Sequence, residues 1–195
     1  VEAHAVDAPI QTVGAKTAVI LLKASGSNVS LNCAPLLRVL VASALIFVGD
    51  LSVIEPVAAA LHLLCWRPEF SRLCVSLDLP SQLSTAIRNF PTSTPLAVHG
   101  CGTMMLVLRQ PQDERSCGET LTCAVRAAAC VLKEQSASTE QRGSMEALNH
   151  ACGVLWVTSE QGERGRDAIA KDEEALDALW EVIADPSVEE DACVV

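Results

Sequence analysis

Tyrosine is absent from this 195-residue chain, and aromatic residues make up only 3% of it. Half of the residues are hydrophobic, so the core must come from Ala, Leu, Val and Cys. Such a core suits closely spaced helices better than a sheet, which favours β-branched and aromatic side chains. Asn-Gly and Asp-Gly are both missing, which removes the strongest hairpin signals. The nine cysteines are odd in number and contain no Cys-x-x-Cys, which argues against a disulfide scaffold and a zinc site. Their usage points to a reducing compartment, the cytoplasm or the nucleus. The most apolar run, residues 39–48, spans ten residues, whereas a bilayer needs roughly twenty. That run reads as a buried helix, no secretory signal precedes it, and a membrane partner is not expected.

Catalytic signatures are missing as well. Neither a Gly-x-Ser-x-Gly elbow nor a Gly-x-x-x-x-Gly-Lys-Ser/Thr phosphate loop occurs. Gly100-x-Gly102 has no strand before it, so it is not a dinucleotide fingerprint, and these glycines fit close helix approach instead. The four histidines (His4, His62, His99 and His150) have no carboxylate at a ligand-like spacing. His99 and His150 each precede a small residue at related positions, which suggests a repeated structural role. Met104-Met105 reads as core, and the Glu173-Glu174 pair as a helix start complementing the macrodipole. The expectation is therefore no enzyme, no cofactor, no metal and no small-molecule substrate. The net charge of −10 is concentrated at one end, where residues 160–195 hold twelve Asp/Glu against three Lys/Arg. An acidic end repels phosphate backbones, so nucleic acid is not an expected partner.

What is present is a repeat. Gly100-Cys101-Gly102-Thr103-Met104-Met105, Ala151-Cys152-Gly153-Val154-Leu155-Trp156 and Ala192-Cys193-Val194-Val195 begin alike. Weaker copies start at Ala15 and Ala58, so that successive copies are 43, 42, 51 and 41 residues apart. A recurrence near forty residues marks a helical array. Spacing predicts one helix over 96–108 and another over 145–158. A preceding helix shows apolar residues at i, i+3, i+4 and i+7 four times. These are Val41, Ala44, Leu45 and Val48; Leu83, Ala86, Ile87 and Phe90; Leu121, Ala124, Val125 and Ala128; and Ala175, Ala178, Leu179 and Val182. The longer period is assigned to extra polar residues at about 131–143, as a loop or a helix extension. Ser52-x-x-Glu55, Ser116-x-x-Glu119, Ser138-x-x-Gln141 and Ser187-x-x-Glu190 match the capping box. Pro35, Pro56, Pro80 and Pro95 are placed at or near first helical turns.

The segment 151–156, followed by Glu163 and Arg166, resembles the armadillo repeat, with HEAT repeats as the nearest rival. Arg115 and Arg72 echo that Arg in earlier copies. The resemblance covers residues 36–195, with 1–35 as a partial N-terminal repeat. It implies an all-α, right-handed α-solenoid of about four repeats, truncated at both ends. The chain starts at Val1 and stops as a further copy begins, so it reads as an excerpt of a longer protein. In such arrays the third helices line a concave groove, and another protein or peptide lies along it. Aligning the copies puts Arg88, Arg126 and Trp180 in one groove column and Thr85, Cys123 and Asp177 in another, with Asn89 and Glu181 alongside. Trp and Arg often dominate binding energy. The residue four beyond Trp180 is Ala184, not the Asn that importin-alpha-like members use. The expected function is a non-catalytic scaffold or adaptor. The alternative is the structural arm of a multidomain enzyme, such as a ubiquitin ligase or kinase.

Overall fold

A computed structural model of the chain describes residues 7–25, 33–110, 114–136 and 141–184, with backbone alone at 25, 114–117 and 141–144. Among the described residues all regular structure is helical: α1 (Ala8–Ser25), α2 (Ala34–Ile46), α3 (Leu51–Cys65), α4 (Pro68–Ser76), α5 (Leu79–Asn89), α6 (Thr94–Leu108), α7 (Glu114–Ser136), α8 (Gln141–Glu160), α9 (Glu163–Ala170) and α10 (Glu173–Ala184). None of these helices is long and apolar enough to cross a membrane. His4, Cys193, the copy beginning at Ala192 and the capping matches at Ser138 and Ser187 lie outside the described residues, as does the side chain of Ser116.

The helices sort into two rows. α1, α3, α6 and α8 pack side by side in that order, and α2, α5, α7 and α10 form the second row. The pairs α2–α3, α5–α6 and α7–α8 bridge the rows, while the short α4 and α9 make the connections. One apolar core runs between the rows from Ala15 to Val182. Several contacts between helices share similar sequence separations. Thr12 Oγ1 reaches Ser52 O, Asn89 Nδ2 donates to Val48 O, Thr94 Oγ1 donates to Gln135 Oε1, and Lys133 Nζ pairs with Glu174 Oε1. Each of these spans 40 or 41 residues. Across the longer period, His150 to Val98 O and Gln161 to Leu108 O span 52 and 53.

The periodic apolar positions largely point inward. Leu121, Ala124, Val125 and Ala128 are fully buried, as are Leu83, Ala86 and Ile87 apart from a trace of exposure. Three assignments differ, and the first is Val48, which is half-buried and lies beyond the end of α2. Leu45 is 62% exposed, because α2 turns Leu37, Leu40, Val41 and Ala44 inward instead. Phe90 is a half-buried cap beyond the end of α5.

The helix ends also correct two expectations. The cap of α3 is Asp50, whose Oδ1 accepts from the Ser52 amide at 3.0 Å and from its hydroxyl at 2.7 Å. Glu55 therefore does not close a box on Ser52; its Oε2 accepts from Ser93 Oγ on α6's cap at 3.2 Å. Pro35, Pro80 and Pro95 do occupy first turns, but Pro56 lies inside α3. A proline there leaves the carbonyl four residues back without its amide partner. That carbonyl is Ser52 O, and Thr12 Oγ1 of α1 lies 3.2 Å from it, sharing its proton with Ala8 O at 2.9 Å.

The extra residues of the long period lengthen helices. Residues 131–136 complete α7, with Val131 and Leu132 fully buried. Gln135 is buried too, and its Nε2 donates to Pro91 O at 3.1 Å, tying this extension to the α5–α6 turn. At the other end of α8, α9 crosses so closely that a Cβ on Gly165 would overlap the Thr158 carbonyl. Only glycine fits that contact without moving backbone.

Candidate functional site

The first row brings together what chain order keeps apart. His62 on α3, His99 on α6 and His150 on α8 converge, all half-buried. The ring centroids of His62 and His99, and of His62 and His150, are each 5.6 Å apart. His62 Nδ1 and His99 Nδ1 approach to 3.3 Å. One nitrogen must donate and the other accept, so this bond requires at least one neutral ring. His150 Nδ1 lies 2.8 Å from Val98 O and donates to it, since a carbonyl can only accept. Gly102 makes room for the cluster: a Cβ there would come within 2.6 Å of His62 Nε2 and 3.0 Å of His150 Nδ1.

Burial pushes His62 down from 6.5 to about 4, and the nearby His99 and His150 push it further the same way. His99 is also lowered, first by burial and then by Lys23, with His150 adding to the shift and Glu146 and Glu55 opposing it. At neutral pH the His62 and His99 rings are therefore held in the uncharged form, hydrogen-bonded to each other. His62 Nδ1 and His99 Nδ1 are committed to each other, and His150 Nδ1 to the Val98 carbonyl. Among the described residues no group of three His, Cys, Asp or Glu side chains is placed to hold a metal ion.

Beside this histidine wall α6 and α8 leave a cleft of about 350 Å³, with Met105, Arg109, Asn149, His150, Cys152 and Trp156 around Gly153. A side chain at Gly153 would press on Met105 Sδ at 2.8 Å. Trp156 is 47% exposed at its edge. At the far side of the cluster Trp66 is exposed and stacks on His62, with centroids 6.3 Å apart and planes inclined by 24°. A strip of Trp66, histidines, cleft and Trp156 thus crosses three helices. Met104 is fully buried as expected of core, whereas Met105 faces the cleft.

Arg88, Asn89, Arg126, Asp177, Trp180 and Glu181 lie on the other row. They occupy α5, α7 and α10, and all six are exposed. Two already have intramolecular partners: Asn89 Nδ2 donates to Val48 O at 3.2 Å, and Arg126 Nε lies 3.8 Å from Asp172 Oδ2. Trp180 is 72% exposed. Thr85 is exposed and Cys123 half-buried. In chain order the short α4 is followed by α5 and then by α6, which carries Cys101, and the short α9 is followed by α10.

The cleft residues were not read as a site in the sequence. His99 and His150 share a register, but His62 stands four residues past Ala58, one turn further along. Trp156 served only as part of a repeat motif. The thiols fit a packing role. Burial raises Cys101 and Cys123, and Cys74 is raised by its contact with Cys65, Sγ to Sγ at 3.4 Å, as well as by burial. A raised thiol carries little of the nucleophilic thiolate at neutral pH.

Comparison with protein-family models, with curated proteins and with solved structures gives no match to this chain.

Proposed function

We propose that this chain is a non-catalytic, protein-binding segment of a right-handed, armadillo-like α-solenoid of about four repeats, working in the cytoplasm or nucleus. The observation that carries the proposal is the cleft between α6 and α8, open to solvent, floored by glycine and edged by a half-exposed tryptophan. Unit order supports it. α6 follows the short α4 and α5 as a third helix would, α8 follows α7 as α6 follows α5, and in armadillo-like arrays third helices line the groove. The binding surface is therefore assigned to the first row, and the Arg88–Arg126–Trp180 column lies outside it.

The partner is an extended or helical segment of another protein that inserts a large apolar side chain beside Trp156. A cleft of this size takes one such anchor, and buried aromatic anchors commonly supply most of an interface's affinity. Arg109 and Asn149 at the rim set register through polar contacts. His62 and His99, held neutral by burial, make their part of the adjoining wall inexpensive to dehydrate, because neither ring carries a full charge that would lose its water.

Peptides selected from a random display library on the intact chain provide the test. Binders of the proposed kind lose at least tenfold in affinity on Trp156→Ala and are unaffected by a Trp180→Ala, Arg126→Ala double substitution. The reverse pattern would return the groove to the second row. Selected binders indifferent to both changes would reject either groove.

A further inference from the structure

The large exposed apolar side chains concentrate at the two ends of the stack. On α1, Val13, Ile20 and Leu21 are 60–67% exposed, and Leu45 on α2 is 62% exposed. At the opposite end α10 shows Leu176, Trp180 and Ile183, an i, i+4, i+7 stripe that faces away from its buried Ala175, Ala178 and Val182. Between the ends, among the described residues, Leu51, Trp66 and Trp156 are the large apolar side chains left exposed, and the rest are covered by neighbouring helices.

The two ends are complementary in topology. Every first-row helix except α1 pairs with the second-row helix before it, and every second-row helix except α10 pairs with the first-row helix after it. Among the described residues α1 therefore lacks a second-row partner and α10 lacks a first-row partner. Each end has what the other is missing. They are complementary in charge too. α10 carries Glu173, Glu174, Asp177 and Glu181 with no Lys or Arg. α1 and α2 carry Lys16, Lys23 and Arg38 with no Asp or Glu.

We infer that copies of this chain associate head to tail, the α1–α2 end of one copy covering α10 of the next. In this arrangement α1 takes the first-row place beside α8 and pairs with α10, and α2 continues the second row. The contact buries the Trp180 stripe against apolar helix faces, and the basic side chains of α1 and α2 meet the carboxylates of α10. Because the two surfaces differ, the interface is heterologous and extends into open chains instead of closing as a dimer. The charge component weakens as salt rises. The inference stands independently of the α6–α8 cleft.

Sedimentation velocity on the full chain over a wide concentration range tests it. The expected result is a sedimentation coefficient that rises with concentration and falls with added salt. Trp180→Lys blocks the tail and Ile20→Glu blocks the head; both positions are exposed, and circular dichroism checks that helix content is kept. Each variant alone stays monomeric, and an equimolar mixture forms a one-to-one pair that grows no further. Ile183→Lys with Val13→Glu serves as a second pair should either variant lose helix. A wild-type chain that is monomeric throughout would overturn the inference, as it would if another segment or another protein covers these ends. So would a singly blocked variant that still associates, or a mixture that forms no pair.

Discussion

The central helices of the two rows, α6 and α7, face opposite demands. α6 has no charged residue and is buried nearly all round, because α3 and α8 flank it and α4, α5 and α7 lie behind. Its sequence consequently shows no clear amphipathic stripe. α7 is flanked by α5 and α10 with α8 and α9 behind it, but keeps one wet face: Leu121, Ala124, Val125 and Ala128 are buried while Arg126 and Lys133 face water. A helix enclosed by neighbours loses its 3.6-residue polarity pattern; a helix with one wet face keeps it. The difference also locates the candidate site. On the enclosed row, small residues such as Gly102 and Gly153 leave room that rings and a cleft occupy.

That contrast can be broken most forcefully at the buried stripe of α7. Leu121→Ala is expected to cost about 4 kcal/mol through lost burial and a cavity, whereas Leu45→Ala, on the exposed face of α2, stays within about 0.5 kcal/mol. Urea denaturation of the two variants measures the difference; equal midpoints would show the stripe to be misassigned. Next in size is Gly165→Ala, which forces α9 away from the Thr158 carbonyl at an expected cost of about 3 kcal/mol. Thermal unfolding monitored at 222 nm reads it, and an unchanged melting temperature would mean that α9 does not approach so closely.

The histidine wall sharpens the comparison through pH. Below pH 6.5 the unfolded chain takes up a proton at His62 that the folded chain refuses until about pH 4. The unfolded state then binds more protons, so stability present above pH 6.5 is lost as pH falls toward 4. For this partly exposed ring the loss is about 2 kcal/mol after allowance for solvent screening. His62→Gln should flatten that part of the stability profile relative to wild type; parallel profiles would remove His62 as the cause. The smallest effect belongs to the wet face of the second row. Arg126→Ala, which removes a 3.8 Å ion pair to Asp172, should change stability by no more than about 0.5 kcal/mol. A larger loss in a urea titration would assign that arginine a packing role.

Much of the fold is legible in residue spacing. The apolar positions of α5, α7 and α10 follow a local 3.6-residue rule, and Pro80 and Pro95 mark helix starts because a first-turn amide has no partner to lose. The site was less legible. Trp180 and Arg126 align in sequence, yet alignment carries no information on which row of helices borders an open cleft. Leu45 shows the same gap: its spacing fits an inward face, but the neighbours of α2 select the face holding Leu37 and Leu40. Pro56 is another case, tolerated inside α3 because a threonine forty residues earlier reaches the carbonyl it frees.

By itself, the order of amino acids determined that the chain is helical, since that follows from interactions within a few turns. Tertiary structure alone decided that His62 meets His99 and His150, that Met105 and Trp156 border one cleft, and that, among the described residues, α1 and α10 each lack a partner in the opposite row. Those outcomes depend on how helices far apart in sequence register side by side, and no local pattern encodes that registration.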